Sequence, residues 1–329
     1  MSGRKMQRAH RPGRQRGVAV ITALLLTTLA VTIVASLFWQ QQVQVRSMEN
    51  QRLQLQTRWI LRGALDLSRL ILNQDYLDSP NFTQLNGVWA TPLEETRLDD
   101  YIERERQDGE SFNASLSGRM VDAQSRYNLA NLASAKAVKT DELVVFQRLL
   151  ANLKLDSGLA LATANMVANA QVAVTTQQNP AQSSASAEPI ELVRVEDLLA
   201  LSGFTPQSIE QLRDYVIILP SATPVNVNTA PAELIAALVP NLSLSDAAAA
   251  VSTRNRGVYY RDVAAFTSVT QVAAAMRASA GAAMVAVAVK SNYFLAYSRV
   301  RLDRAALDTQ SLLSRPNAPN TSVVWIREN

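Results

Sequence analysis

The chain has 329 residues, 48% of them hydrophobic, with no cysteine and a single histidine, His10, which is enough for two or three packed domains held by burial rather than disulfides. Six of the 32 basic residues (Arg4, Lys5, Arg8, Arg11, Arg14, Arg16) precede residue 18 with no acid among them, so the remainder carries 26 basic and 28 acidic residues, a net of about −2. The formal +4 therefore belongs to the N-terminus and not to a nucleic-acid-binding body, and a chain without His or Cys beyond residue 17 excludes Ser-His-Asp triads, thiol nucleophiles, the usual zinc ligand sets and His-ligated haem.

Residues 18–38 carry no charge. At about 1.5 Å per helical residue they match the roughly 30 Å of a bilayer's hydrocarbon core, which predicts a transmembrane helix. The basic leader keeps the N-terminus cytoplasmic by the positive-inside bias and sends the rest of the chain across the membrane. A secretory signal peptide is the alternative, but its apolar run is usually about 7–15 residues and ends at a small-residue cleavage site. Here the run is longer and leads into Gln40-Gln41-Gln42.

The helix is predicted to continue beyond the membrane. Residues 40–75 lack proline, and Leu53, Ile60, Ala64, Leu67 and Ile71 fall on one face, with Pro80 and Asn81 ending the element at the latest. Counted from Val18, such a helix would be on the order of 85 Å long. Residues 82–128 read as strands with irregular loops, notably 87–90 and 111–122. A helical region follows from about Thr140, with Thr140 or Asp141 as N-cap and Leu143, Phe146, Leu149, Leu150 and Leu153 on one face. Residues 177–189 are a polar, Ala/Ser-rich loop, and 195–206 read as a helix, a glycine C-cap at Gly203 and a Thr-Pro restart.

In residues 224–238 (PVNVNTAPAELIAAL), Thr229 is placed to cap a helix, Pro231 fits its first turn and Glu233 meets the positive end of its dipole. Two readings stand open for this stretch together with 254–259 (RNRGVY): a structural helical module, or a helix-hairpin-helix that grips a DNA backbone. Glycines at the hairpin would let backbone N–H groups approach a phosphate, and here Pro240-Asn241-Leu242-Ser243 stands instead, which favours the structural reading. Residues 284–289, 293–302 and 321–326 read as strands that return to the first sheet. The paired acids Glu94-Glu95, Asp99-Asp100, Asp141-Glu142 and Glu196-Asp197 stand in polar contexts and read as solvated faces; a carboxylate enzyme of unknown reaction is the weakest of the three function classes.

Several of these stretches resemble a known family. Gly17 between a basic leader and an apolar run resembles the prepilin-peptidase site of type IV pilins and type II secretion pseudopilins, which implies cleavage after Gly17 and N-methylation of Val18. The fifth mature position, usually glutamate, is Thr22, as in the minor pseudopilin K family. Residues 121–132 (VDAQSRYNLANL) are similar to that family's D-x-Q-x-R-F/Y-N-L-N-N-L pattern at Asp122, Gln124, Arg126, Tyr127, Asn128, Leu129, Asn131 and Leu132, with Ala130 in place of the usual Asn. Asn226, Asn228, Thr229 and Pro231 fall in the second segment of resemblance, and residues 290–315 resemble the closing segment.

The resemblance implies an α+β fold: a pilin-like long N-terminal helix packed on a small antiparallel sheet, with an inserted all-helical domain of two SAM-like modules. It divides the chain into a leader (1–17), a transmembrane part (18–39) and a periplasmic part (40–79) of the first helix. The first part of the β head (80–128), two helical modules (129–222 and 223–281) and the closing strands (282–329) follow. It further implies a non-enzymatic minor pseudopilin of the bacterial inner membrane, single-pass, with its C-terminal domain periplasmic. Such a protein caps the tip of the type II secretion pseudopilus and helps initiate its assembly for export of folded proteins across the outer membrane. Implied partners are minor pseudopilins I and J, minor pseudopilin H, major pseudopilin G, the prepilin peptidase and the inner-membrane assembly platform. The alternative is a membrane-anchored periplasmic DNA-uptake component. Related proteins bind calcium in the helical insertion; Asp122 and Asp141 are the candidate ligands here, and the family's acidic D-W-x-D segment is replaced by residues 165–169 (NMVAN).

Overall fold

The computed structural model describes residues 16–98, 113–171, 191–279, 284–316 and 320–328. Helix α1 (Arg16–Asp78) runs through two compact units, Met1–Arg58 and Trp59–Asn329. In the first unit the apolar run from Val18 stays exposed within the chain, with Leu26 at 66% and Phe38 at 68%. One helix is thus long and apolar enough to cross a membrane. Its threonines do not break the pattern, because Thr22, Thr27, Thr28 and Thr32 each donate a hydroxyl proton to a carbonyl three or four residues back at 2.8–3.1 Å.

In the second unit the last turns of α1 lie on a five-stranded antiparallel sheet formed by β1 (Leu93–Arg97), β2 (Ala114–Asp122), β9 (Tyr293–Leu302), β10 (Ala305–Ser314) and β11 (Ser322–Glu328) in that spatial order. Leu61, Ala64, Leu65 and Leu72 are buried against it with Leu116, Val300, Phe294 and Leu313. The buried face is therefore turned by about one residue from the expected stripe: Ala64 is in it, Ile60 and Ile71 flank it, and Leu67 is 42% exposed. The expected strand around 87–90 is a 3-10 helix, Val88–Ala90, because Trp89 must drop into the core, where it meets Phe294 edge-on at 5.3 Å.

The register of β2 on β9 carries the architecture. Asp122 stands opposite Phe294, so a chain that leaves β2 and returns 171 positions later finds its two ends side by side. Between them lies a helical insertion made of α2 (Thr140–Asn152), α3 (Leu159–Ala170), α4 (Pro206–Leu212), α5 (Ala232–Leu238), α6 (Leu244–Asn255), α7 (Val263–Thr267) and α8 (Thr270–Ala278). Short pairs knit it: β3 (Tyr127–Asn128) with β6 (Val216–Ile217), β4 (Ala133–Ser134) with β5 (Ala137–Val138), and β7 (Val225–Asn226) with β8 (Val287–Ala288). One continuous core runs through the insertion from Tyr127 and Phe146 to Leu234, Phe266 and Val289. Residues 284–289 do not join the main sheet as expected. Val285 and Val289 are buried in the insertion core, and Val287–Ala288 pair instead with Val225–Asn226. The first residue of α2 is Thr140 itself, so Lys139 occupies the N-cap, and Asp141 and Glu142 serve the helix dipole from its first turn.

Candidate functional site: the clamp between sheet and insertion

The point where the insertion leaves and rejoins the sheet is closed by one carboxylate. Asp122 is 1% exposed; its Oδ1 accepts the Gln124 amide at 2.8 Å, which caps the 3-10 turn Ala123–Ser125. Its Oδ2 accepts three protons: from Thr229 Oγ1 at 2.6 Å, Ser291 Oγ at 2.6 Å and Asn226 Nδ2 at 3.0 Å. Three stretches of chain therefore meet on Asp122, and a fourth joins through Asn226, whose Nδ2 also lies 3.3 Å from the carbonyl of Thr83. Burial pushes the Asp122 carboxyl above the ordinary range, against the opposing pull of Ser291, Thr229, the Gln124 amide and Asn226. Three donors saturate Oδ2 and the side chain is buried, so Asp122 is engaged here as a structural acceptor. Asp141 is exposed on the first turn of α2, and no cluster of three or more His, Cys, Asp or Glu side chains occurs among the described residues.

The other motif residues extend the clamp. Gln124 donates to the Pro224 carbonyl at 2.9 Å and accepts the Asn292 amide at 2.6 Å. Asn128 accepts the amides of Ala130 and Leu219, both at 3.1 Å, and donates to the Ser221 carbonyl at 2.7 Å. Asn131 exchanges two hydrogen bonds with the backbone of Thr223, each 2.9 Å, as a neighbouring strand would. Asn228 does the same for Tyr260, at 2.8 and 2.9 Å. Asn128 caps the short turn Leu129–Leu132, but both asparagines reach the loop some 90 residues on.

Two motif residues stand apart from this network. Tyr127 donates its hydroxyl to Glu142 Oε2 at 3.0 Å inside the insertion and stacks on Phe146. Arg126, its side chain 12% exposed, pairs with the exposed Asp214 at 3.6 Å. Thr229 does not cap α5 as expected; its hydroxyl is consumed by Asp122, and Pro231 sits at the N-cap position just outside the helix. Gly17 lies in the first turn of α1, Val18 is 64% exposed, and Thr22 is bonded only within its own helix. Ser291 and Thr83 carry no pattern in sequence that would have marked them; they become partners of the clamp only because β9 returns beside β2.

The stretch resembling a helix-hairpin-helix is turned inward. Arg254, 2% exposed, donates to the carbonyls of Val227 and Ala230 at 2.9 and 2.7 Å, so it ties α6 to the preceding loop. At the hairpin Asn241 keeps the left-handed conformation (φ 60°) that a glycine would take. Its amide group is bonded to Ser279, and the N-terminus of α6 is filled by Ser243 and the carboxylate of Asp246.

A long N-terminal helix on a small antiparallel sheet, opened between two adjacent strands to admit a helical insertion, defines a pilin-like protein of the enlarged kind. Two family models, each described as type II secretion system (T2SS), protein K, match residues 125–221 and 225–290. The type II secretion system protein K of Klebsiella pneumoniae is 28% identical over 327 residues, covering 92% of this chain and 93% of that protein. That of Pseudomonas aeruginosa is 28% identical over 243 residues, 68% of each chain. A chain in the crystal structure of the GspK-GspI-GspJ complex from enterotoxigenic Escherichia coli shares the fold with a TM-score of 0.63 at 18% identity, covering 86% of this chain and 99% of its own. The chain belongs to the type II secretion system protein K family, one of the minor pseudopilin families of that system.

Proposed function

We propose that this protein caps the tip of the periplasmic pseudopilus of a type II secretion system and helps to initiate its assembly. The observation that carries the reading is the insertion itself. A helical body with its own core, clamped to the sheet at Asp122, gives the head a bulk that neighbouring heads in a regular filament would have to accommodate. Such bulk suits a terminal position. The exposed apolar run of α1 is its anchor in the inner membrane, with the N-terminus cytoplasmic and the head periplasmic. Prepilin peptidase cuts after Gly17 and the new N-terminus at Val18 is methylated. Thr22 in place of glutamate suits a pseudopilin with no neighbour ahead of it whose N-terminus needs pairing. The partners are minor pseudopilins I and J, as in the complex of the structural relative, with minor pseudopilin H, major pseudopilin G and the assembly platform further down. Its work is assembly rather than catalysis, and the boundaries 1–17, 18–39, 40–79, 80–128, 129–222, 223–281 and 282–329 are the proposed divisions of the chain, with residues 284–289 of the last one packed in the insertion core.

The test has two parts. Intact-mass measurement of the protein co-expressed with the peptidase should give a chain beginning at Val18 with one added methyl group. Gold labelling of a tagged head on overexpressed pseudopili should place the label at filament ends only; label along the shafts overturns the tip assignment.

A further inference from the structure

We propose that the outer edge of β11 is a docking site for an extended segment of a partner protein whose side chains are acidic on one face and apolar on the other. The two edges of the sheet are built differently. β1 is short, bulged between Leu93 and Thr96, and acidic at Glu94 and Glu95, which are devices that discourage strand addition. β11 also shifts register, against Leu312 and Leu313 of β10, but it is longer at seven residues, lacks lysine and proline and exposes Val323 (36%), Val324 (41%) and Ile326 (47%). Among the described residues no strand pairs with its side away from β10, so alternate N–H and C=O groups there call for an extended backbone.

The edge is held ready at both ends. Just before it, Thr321 is tied to α1 through Arg69 Nε at 2.7 Å and Asn73 Oδ1 at 2.7 Å. Near its end, the Arg327 guanidinium carbon lies over the Trp325 ring, 3.9 Å from its centroid, and the side chain donates to the Val193 carbonyl at 2.9 Å. Preorganisation of this kind removes much of the ordering cost of a strand-addition site.

Charge decides what the segment carries. Cross-strand partners share a face, so Trp325 opposite Leu312 and Arg327 opposite Gln310 point toward the insertion, while Ile326 opposite Ser311 points to the α1 side. On the insertion side Arg327 lines a cleft of about 280 Å³ with Arg126, Arg194, Arg213, Tyr297 and Trp325. Arg213 is paired with Glu196 at 3.0 Å and Arg126 with Asp214 at 3.6 Å. Among the described residues Arg194 and Arg327 have no ion-pair partner. Burial, and then Arg194, hold the Arg327 guanidinium below its usual range against the opposing pull of Glu196, which also lines the cleft, and Asp197; further carboxylates arriving on this face would relieve it. The α1 side offers Ile326 and Val323 to apolar side chains.

The test uses the full chain in dodecyl maltoside micelles and a fluorescein-labelled peptide of about eight residues alternating glutamate and valine. Anisotropy should report binding at least about tenfold tighter than for the same peptide with lysine for glutamate. Methylating alternate peptide nitrogens should weaken it by a similar factor, and hydrogen exchange of residues 322–328 should slow on binding. Arg194→Glu, at an exposed side chain, should weaken the glutamate peptide and strengthen the lysine one; Ile326→Lys should weaken both. No binding, equal binding of the two peptides, or indifference to N-methylation overturns the proposal. So does sedimentation showing the edge already covered by a second copy of the chain.

Discussion

Arg315 Nη1 lies 2.7 Å from Asp75 Oδ2 with both side chains buried, tying the residue that follows β10 to the last turn of α1. The same guanidinium donates to the Leu72 carbonyl at 2.8 Å and to Thr83 Oγ1 at 3.3 Å, and it lies over the Phe294 ring. It thereby fastens the head helix, the segment after it and the closing strands to one another. Removing one partner leaves the other charged in the core. Arg315→Met should destabilise the head by about 3–5 kcal/mol. The double variant Asp75→Asn/Arg315→Met should recover a large part of that loss in thermal unfolding of the same protein, and a double variant as unstable as Arg315→Met contradicts the pairing.

Asp122→Ala strips the acceptor from Thr229, Ser291 and Asn226 at once. With about 1–3 kcal/mol for each buried group left unsatisfied, the loss should exceed that of a typical core truncation. Its particular signature should be local. Amide exchange should rise at residues 224–229 and 289–292, where the insertion joins the sheet, more than in α2 or α3. Uniform loosening of the whole insertion would show that Asp122 is an ordinary core residue.

Stability should also depend on pH through Asp122. Its folded pKa is raised above the ordinary carboxyl value, so the native protein holds a proton the unfolded chain has already released in the interval between the two. In that interval stability falls as pH rises, and above it the cost of the buried charge is constant. Lowering the pH from neutrality through the folded pKa should therefore raise this group's contribution. Asp75 and Glu142 are raised too, by burial first, and add slopes of the same sign. Subtracting the profile of Asp122→Asn from the wild type should isolate the part due to Asp122; an unchanged slope would show that it does not titrate across this range.

Gly118 lies in the middle of β2, where an added Cβ would stand 2.7 Å from the Tyr297 carbonyl oxygen on β9. Because that neighbour is backbone, Gly118→Ala must spread the strands or twist the sheet, at about 1–3 kcal/mol. Thermal unfolding checks this directly, and a change within about 0.5 kcal/mol would mean the sheet yields without cost.

Thr22→Glu restores the acid that most pilin-like proteins carry at this position. The side chain now bonded to the carbonyls of Val18 and Ala19 would become a carboxylate in an apolar surrounding. Under the tip reading it should perturb assembly with minor pseudopilins I and J while leaving export of the protein itself intact. Unchanged recovery of that complex by affinity purification would count against the reading.

The local chemistry is legible in the chain alone. The uncharged run from Val18, the end of α1 before Pro80, the Thr205-Pro206 restart of α4 and the strands at 293–302 and 322–328 follow from hydropathy, capping and alternation, which are nearest-neighbour properties. The Asp122 to Asn131 and Asn226 to Thr229 stretches stand out as motifs, but their purpose does not. Thr229 is in place to cap α5, and the structure gives its hydroxyl to a carboxylate 107 residues earlier. Trp89 and residues 284–289 read as strands because their own patterns allow it, and the cores they fill override the pattern.

The sequence by itself determined that this protein has a lipid-compatible helix, a cysteine-free head and runs of helix between strands, since those depend on what each residue prefers beside its neighbours. Only the tertiary structure decided where the insertion is fastened, which arginines are spent on carbonyls and which edge of the sheet stays open. Those depend on β2 and β9 lying side by side, and a hydrogen bond between Asp122 and Ser291 has no trace in either local sequence.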